Sequence, residues 1–418
     1  MSHATTGEGF THPEENESEQ QDLHSVDSQA NQQAVSIRYH YMDNLRALAM
    51  IAGIFFHAAL AYSPLMQNLW LSADPQNSVV IEAVAWFSHL FRMPLFFLIS
   101  GFFAIMLIEK RGTGGFVKNR MLRIGIPFVV FLPLVIISFI VLVGFAMANI
   151  ENMSPMLQMI AATHNNPDVP QPPFSTTHLW FLFNLIQFGL VLALLQRFNL
   201  IKSAFTKLVT SSPFLLIVLP LLLTPALYSQ AAPHPAPERI YPELWSYGFY
   251  GIFFFVGAAI FMHKSVLDSL NKYIWLLLGG SLLAYRFVYM TFPESLTIMD
   301  MLPKPEQGFS WSHLLTALLE AVVAVYMTLL CLVIGRSLLN KENKIMRLVS
   351  NSSYWIYIIH LPVLFYIQFL LLDVSWNIWV EFLVSSLGTF AIGLITYFLF
   401  VKWTPIGWML NGRKTQQS

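Results

Sequence analysis

Leu45-RALAMIAGIFFHAALAY-Ser63 is nineteen residues with one arginine, one histidine and otherwise almost only apolar side chains. As a helix it would be about 28 Å long, close to the roughly 30 Å of a bilayer's hydrocarbon core. It therefore reads as a membrane-crossing helix, and that reading decides the fold. Arg46 and His57 stand eleven residues apart. Eleven residues make about three turns, so the two side chains share a face, roughly 16 Å apart along the axis. An ionisable group inside a span is costly; it usually faces a cavity or a partner and marks a functional path. His57 lies between Phe56 and Ala58 and has no local reason to be there.

The rest of the chain repeats the pattern. Of its 418 residues, 56% are hydrophobic and 11% charged, with 35 Phe and 11 Trp; a soluble domain carries about 25% charged residues. Apolar windows fall near 43–63, 80–108, 124–149, 178–197, 213–228, 245–262, 273–291, 313–335, 354–372 and 378–401. The expected fold is an all-α membrane protein, a single bundle of about ten transmembrane helices spanning residues 37–409. Residues 1–36 hold seven Asp and Glu but no Lys or Arg, which reads as a disordered acidic tail rather than a signal peptide. Residues 410–418 form a short closing tail. The zero formal charge argues against a nucleic-acid partner. The single cysteine, Cys331, excludes an intrachain disulfide or a Cys-based zinc site, and no metal is expected.

Basic residues set the orientation. Lys110, Arg111, Lys118, Arg120 and Arg123 follow span two; Arg197, Lys202 and Lys207 follow span four. Lys264 and Lys272 follow span six, Arg336, Lys341, Lys344 and Arg347 span eight, and Lys402, Arg413 and Lys414 close the chain. The opposite loops hold only Arg239 and Lys304. The positive-inside rule then places both termini in the cytoplasm. Loops 150–177 and 229–244, rich in proline and flanked by aromatic residues, belong outside. They read either as stiff connectors in an interfacial aromatic belt or as a lid over a polar acceptor.

With depth assigned, several helices bring polar groups toward the outer half. Glu82, Trp86, His89 and Arg92 form one stripe on span two. His178 opens span four and His313 opens span eight, with Glu320 seven residues further. Arg286, His360 and Glu381 complete the set. One reading is mutual neutralisation, such as Glu82 or Glu320 against Arg92 or Arg286; the other is an acceptor or oxyanion site. An imidazole kept neutral at His57 suits a general base or a proton relay. On the cytoplasmic side, Arg120 and Arg123 share a helical face at the start of span three. They read as a phosphate site reinforced by a helix N-terminus, or as an ordinary positive-inside anchor.

These stretches are similar to the acyltransferase-3 family of integral membrane acyltransferases. The resemblance rests on Arg46-x10-His57, Arg120-x-x-Arg123, Phe91-RMPLFFLISGF-Phe103, His178-LWFL, and Ser353-Tyr354 leading to Tyr357 and His360. It covers residues 41 to about 402. His178-LWFL and the FRMPLFFLISGF stretch look most like the glucan biosynthesis protein C branch, succinyltransferases of periplasmic glucans.

The resemblance implies an O-acyltransferase of the bacterial inner membrane. It would take an acyl group, succinyl before acetyl, from cytoplasmic acyl-CoA as co-substrate, with no bound cofactor. The acceptor would be a hydroxyl of a periplasmic glucan or other glycan. His57 is implied as the catalytic histidine, Arg46 as its motif partner, and Arg120 and Arg123 as donor-binding residues. Glu82, His89, Arg92, His178, His313 and His360 are candidate acceptor or oxyanion contacts, and basic residues there would suit a dicarboxylic acyl group. A homo-oligomer is compatible with the sequence. The rival reading is a proton-coupled transporter using His57, Glu82, His89 and His313. The short broken half-helices of a midplane ion site are missing outside the Pro220/Pro225 segment, which disfavours it.

Overall fold

The computed structural model describes His3 and residues 39–168, 173–301 and 308–412. Apart from His3, the expected acidic tail over 1–36 lies outside the described residues, as do positions 413–418. The chain divides into Met1–His40 and Tyr41–Ser418, and the architecture that follows is that of the second unit. Among the described residues it is helical throughout, the only extended pairing being a single bridge between Ser175 and Arg239.

Ten helices carry the bundle: α1 (His40–Ala59), α2 (Val79–Arg120), α3 (Ile126–Asn149), α4 (Trp180–Arg197), α5 (Leu219–Tyr228), α6 (Ile252–Met262), α7 (Ile274–Tyr289), α8 (Trp311–Leu338), α9 (Lys344–Leu371) and α10 (Ile378–Phe400). A short α11 (Pro405–Asn411) follows. Serine or asparagine caps set several of the starts: Ser78 accepts the Ile81 amide, Ser310 that of His313, and Asn343 those of Ile345 and Met346.

Seven helical runs among the described residues are long and apolar enough to cross a membrane. They become eight if the bent pair Ser203–Val209 and Phe214–Tyr228, turned by 64°, is one span. This is fewer than the ten windows, for two physical reasons. The second and third windows fuse into one 71-residue run, Val79–Asn149, because α2 passes through a π-turn, Met121–Gly125, directly into α3. Its break falls earlier, at Gly112, where a φ of 68° favours a residue without a Cβ. The seventh window yields an α7 of only 16 residues.

Helix α2 is central, packed against α4, α6 and α8. Its crossing with α6 is backbone on backbone. A Cβ on Gly101 would lie 1.8 Å from the Phe254 carbonyl oxygen, and one on Gly257 1.9 Å from that of Leu98; such close approach is how small residues join helices in lipid. Ala47, Met50 and Ile54 of α1 pack on Val349 and Ile356 of α9. The outward faces stay apolar: Val129, Leu134, Ile137 and Ile140 of α3 and Ile395 and Leu399 of α10 are exposed, as lipid contact requires. The interior holds the polar residues. The end of the bundle bearing Arg46 is called the basic end below, and the end bearing loops 150–177 and 229–244 the loop end.

Candidate active site

Helices α1 and α9 run side by side from the basic end. Near their start Arg46 Nη2 donates to Ser350 Oγ at 2.8 Å and meets Asp43 at 3.4 Å. Eleven residues further along α1 is His57; ten further along α9 is His360. Their ring centroids are 5.3 Å apart. The pair that shares a motif in sequence is thus separated in space, each member facing α9.

His178 completes the group, its ring 5.0 Å from that of His360 and nearly perpendicular to it. A proline explains how it is held. Pro362 has no amide hydrogen, so the Ile358 carbonyl one turn earlier lacks its helical donor. His178 Nε2 donates to that carbonyl at 3.0 Å. The donation leaves Nδ1 as the lone-pair nitrogen, buried and without a partner. His360 Nδ1 donates to the Tyr357 carbonyl at 2.6 Å. The Tyr357 hydroxyl in turn donates to the His178 carbonyl. Thr177, just before His178, has φ 50°, rare for a β-branched residue. Such strain costs about 1–3 kcal/mol and persists where the surroundings enforce it.

Trp70 stacks over His57 at 6.2 Å and 15°. Gln368 holds this roof in place. Its Nε2 donates to the Ala58 carbonyl at 3.0 Å, while its Oε1 accepts from Ser72 Oγ at 2.7 Å and Trp70 Nε1 at 3.5 Å. His57 Nδ1 is buried and unpartnered.

Behind His57, Phe56 separates a second group. His89 stacks on it at 4.9 Å, Trp86 meets it edge-on at 5.7 Å, and the Arg92 guanidinium lies 4.7 Å over its ring. His89 Nε2 donates to the His234 carbonyl at 3.2 Å, and His234 Nδ1 meets Glu320 Oε2 at 3.2 Å. His234 comes from loop 229–244 yet is only 1% exposed. Burial pushes its imidazole down to about 3, so it is neutral at physiological pH. The two proline-rich loops also join each other: the Thr176 amide and hydroxyl both donate to the Glu238 carbonyl, at 2.7 and 2.8 Å.

His57, His360 and His178 thus form one cluster of imidazoles under Trp70. Residues 39–398 match the family model of an acyltransferase domain, acyltransferase 3. The chain belongs to that family. Relatives named glucans biosynthesis protein C align along nearly the whole chain. The one from Escherichia coli O139:H28 (strain E24377A / ETEC) is 23% identical over 90% of this chain and 95% of its own. The one from Salmonella paratyphi B is 25% identical over the same shares. No solved structure matches the chain. The protein is a multi-pass membrane acyltransferase.

In this acyltransferase not every candidate residue reaches His57. Glu82 is taken up at the loop end by Ser63 Oγ (2.7 Å), the Leu65 amide (2.6 Å) and the Tyr289 hydroxyl (2.7 Å). It therefore does not neutralise Arg92. Glu320 is engaged by His234, not by Arg92 or Arg286, and Arg286 lies on the exposed face of α7. His313 Nε2 donates to the Tyr228 carbonyl at 2.8 Å, a rim contact joining α8 to α5. The picture of Arg120 and Arg123 at a free helix N-terminus also fails. The helix runs on through the π-turn, so no N-terminal amides are open there. Arg120 lies 5.2 Å over Phe116 and reaches the Ser100 carbonyl at 3.5 Å, whereas Arg123 Nη1 donates to the Asn411 carbonyl at 2.6 Å.

Reading the spans alone misses Trp70, Gln368 and His234. Gln368 carries a weak signal, a polar residue eight positions beyond His360 and about 80° round α9 in an otherwise apolar run. His234 carries none beyond its place between Pro233 and Pro235 in a loop.

Proposed function

We propose that this protein moves an acyl group, succinyl before acetyl, from acyl-CoA to a hydroxyl of a periplasmic glucan or other extracytoplasmic glycan. The observation that carries the reading is His57 beside His360 and His178, roofed by Trp70, with Nδ1 sealed from solvent. In the proposed step His57 removes the acceptor hydroxyl's proton as the oxygen attacks the thioester carbon. The C–S bond then breaks, the electron pair leaves on the CoA sulfur, and His57 returns the proton to that thiolate. General-base help of this kind is worth about 10²–10⁴-fold. An acyl-imidazole on His57 is the variant route.

The proposed orientation follows the Lys and Arg bias: basic end and both termini in the cytoplasm, loop end in the periplasm, within a bacterial inner membrane. In this reading α2 and α3 are two crossings despite their continuity, and α5 and α7 are one each, which makes ten. Acyl-CoA would enter at the basic end. Arg120 immediately precedes the π-turn there and Arg123 lies within it, and such turns recur at functional sites. Arg123 would exchange the Asn411 carbonyl for a CoA phosphate, a stronger acceptor.

Mass spectrometry of envelope glycans from cells with and without the protein tests the reading. A succinyl or acetyl increment on a glycan, lost in the deletion and restored by the gene but not by His57→Ala, is expected. Unchanged glycans, together with proton-coupled solute uptake into vesicles lacking acyl-CoA, would replace it with the transporter.

A further inference from the structure

Arg92 and Tyr250 form a binding arrangement that lacks its acceptor. Arg92 is 6% exposed, its Nε is buried without a hydrogen-bond partner, and no carboxylate among the described residues meets the guanidinium. The two glutamates closest to it in the sequence reading, Glu82 and Glu320, are committed elsewhere. Tyr250 is fully buried with an unpartnered hydroxyl, and it is an electrostatic neighbour of Arg92. Buried donors are nearly always paired, and a buried cation without an anion is strongly disfavoured. A buried guanidinium with no carboxylate among the described residues, in the same interior as an unpartnered phenol, implies an anion that arrives with a ligand.

Position identifies the anion. A Cβ on Gly53 would lie 2.5 Å from Arg92 Nη1, so the guanidinium occupies the space that glycine leaves on α1. Gly53 is four residues before His57, the same face one turn toward the basic end, roughly 6 Å along the axis. The guanidinium lies 4.7 Å from the Phe56 ring centroid and the His57 ring 5.1 Å from it, so the two groups share Phe56 as a neighbour and their spacing is under about 10 Å. That spacing is comparable to the reach of a short dicarboxylic acyl chain. A planar guanidinium fork suits a carboxylate, and a phenol hydroxyl within reach of the same ligand would add a second donor.

We propose that Arg92, assisted by Tyr250, binds the free carboxylate of a dicarboxylic acyl group whose thioester carbon lies at His57, and so selects the acyl donor. The inference rests on the acyl-transfer reading above and adds the residue that determines specificity.

The test uses the full-length protein in lipid nanodiscs with two donors of equal carbon count, succinyl-CoA and butyryl-CoA. Arg92→Gln should lower the succinyl-to-butyryl ratio of transfer rates by about a hundredfold, and Tyr250→Phe by about tenfold, as lost hydrogen bonds to a charge predict. Arg92→Lys should recover part of the ratio. A ratio that holds or rises in Arg92→Gln, because both donors fall together, overturns the proposal. A second measurement needs no turnover: succinate should raise the melting temperature of the wild type and not of Arg92→Gln, and equal stabilisation of both overturns it. If the wild type transfers neither donor, the acyl-transfer reading fails, and the succinate measurement still decides the anion site.

Discussion

Phe56 divides two histidine groups, and they differ in what ends them. His57, His178 and His360 stand on or at the ends of long helices, and among the described residues none meets a carboxylate. His89 and His234 lead instead to Glu320, and the middle member is brought in by a loop. Imidazoles fixed through one nitrogen by a helix carbonyl keep the other for transient chemistry. A buried imidazole closed by a carboxylate is better suited to holding two segments together. In the proposed function the first group is the chemical one, whereas the second joins loop 229–244 to α2 and α8.

The sharpest way to break the comparison is His57→Ala. Transfer should fall by about 10²–10⁴-fold with insertion and melting temperature retained. Retention of near-normal transfer by the purified variant would move the chemistry out of the first group. Next comes Pro362→Ala, which restores an amide hydrogen to α9. The Ile358 carbonyl then regains its helical donor, and His178 Nε2 loses its acceptor. Transfer should drop about tenfold, the scale of one hydrogen bond at about 1.4 kcal/mol, while thermal stability holds or rises. Lower stability with unchanged transfer would show that the proline serves only packing.

What was legible in the sequence followed the cost of burying charge. Arg46 and His57 were visible because an apolar helix makes each polar residue conspicuous, and the stripe of Trp86, His89 and Arg92 does converge on Phe56. Three things were not legible. A π-turn has no local sequence signature, so the continuity of α2 with α3 was hidden, and with it the error about a free N-terminus at Arg120. Ion pairing depends on which helices are neighbours, so Glu82 and Glu320 were matched to the wrong partners. His234 lies in a proline-rich loop, where polar residues are cheap in water, and only the fold shows that this loop enters the bundle.

The second group gives smaller effects, on stability rather than rate. Glu320→Leu leaves His234 Nδ1 without its partner and should cost about 1–3 kcal/mol at neutral pH, read as a lower melting temperature. A retained melting temperature would mean that the loop is fastened by other contacts.

The last effect vanishes at neutral pH and grows only in acid. Burial pushes the folded His234 imidazole down from its ordinary 6.5 to about 3. Between those values an unfolded chain takes up a proton that the folded chain refuses, so folding loses stability as pH falls through that window. Above pH 6.5 neither state binds the proton and His234 contributes no pH dependence. His234→Gln, which can still hydrogen-bond to Glu320 but does not titrate, should match the wild type near pH 7.5 and melt at a higher temperature than it near pH 5. Parallel melting curves across that range would show that His234 takes its proton in the folded state, and so that loop 229–244 opens to water more readily than its buried position implies.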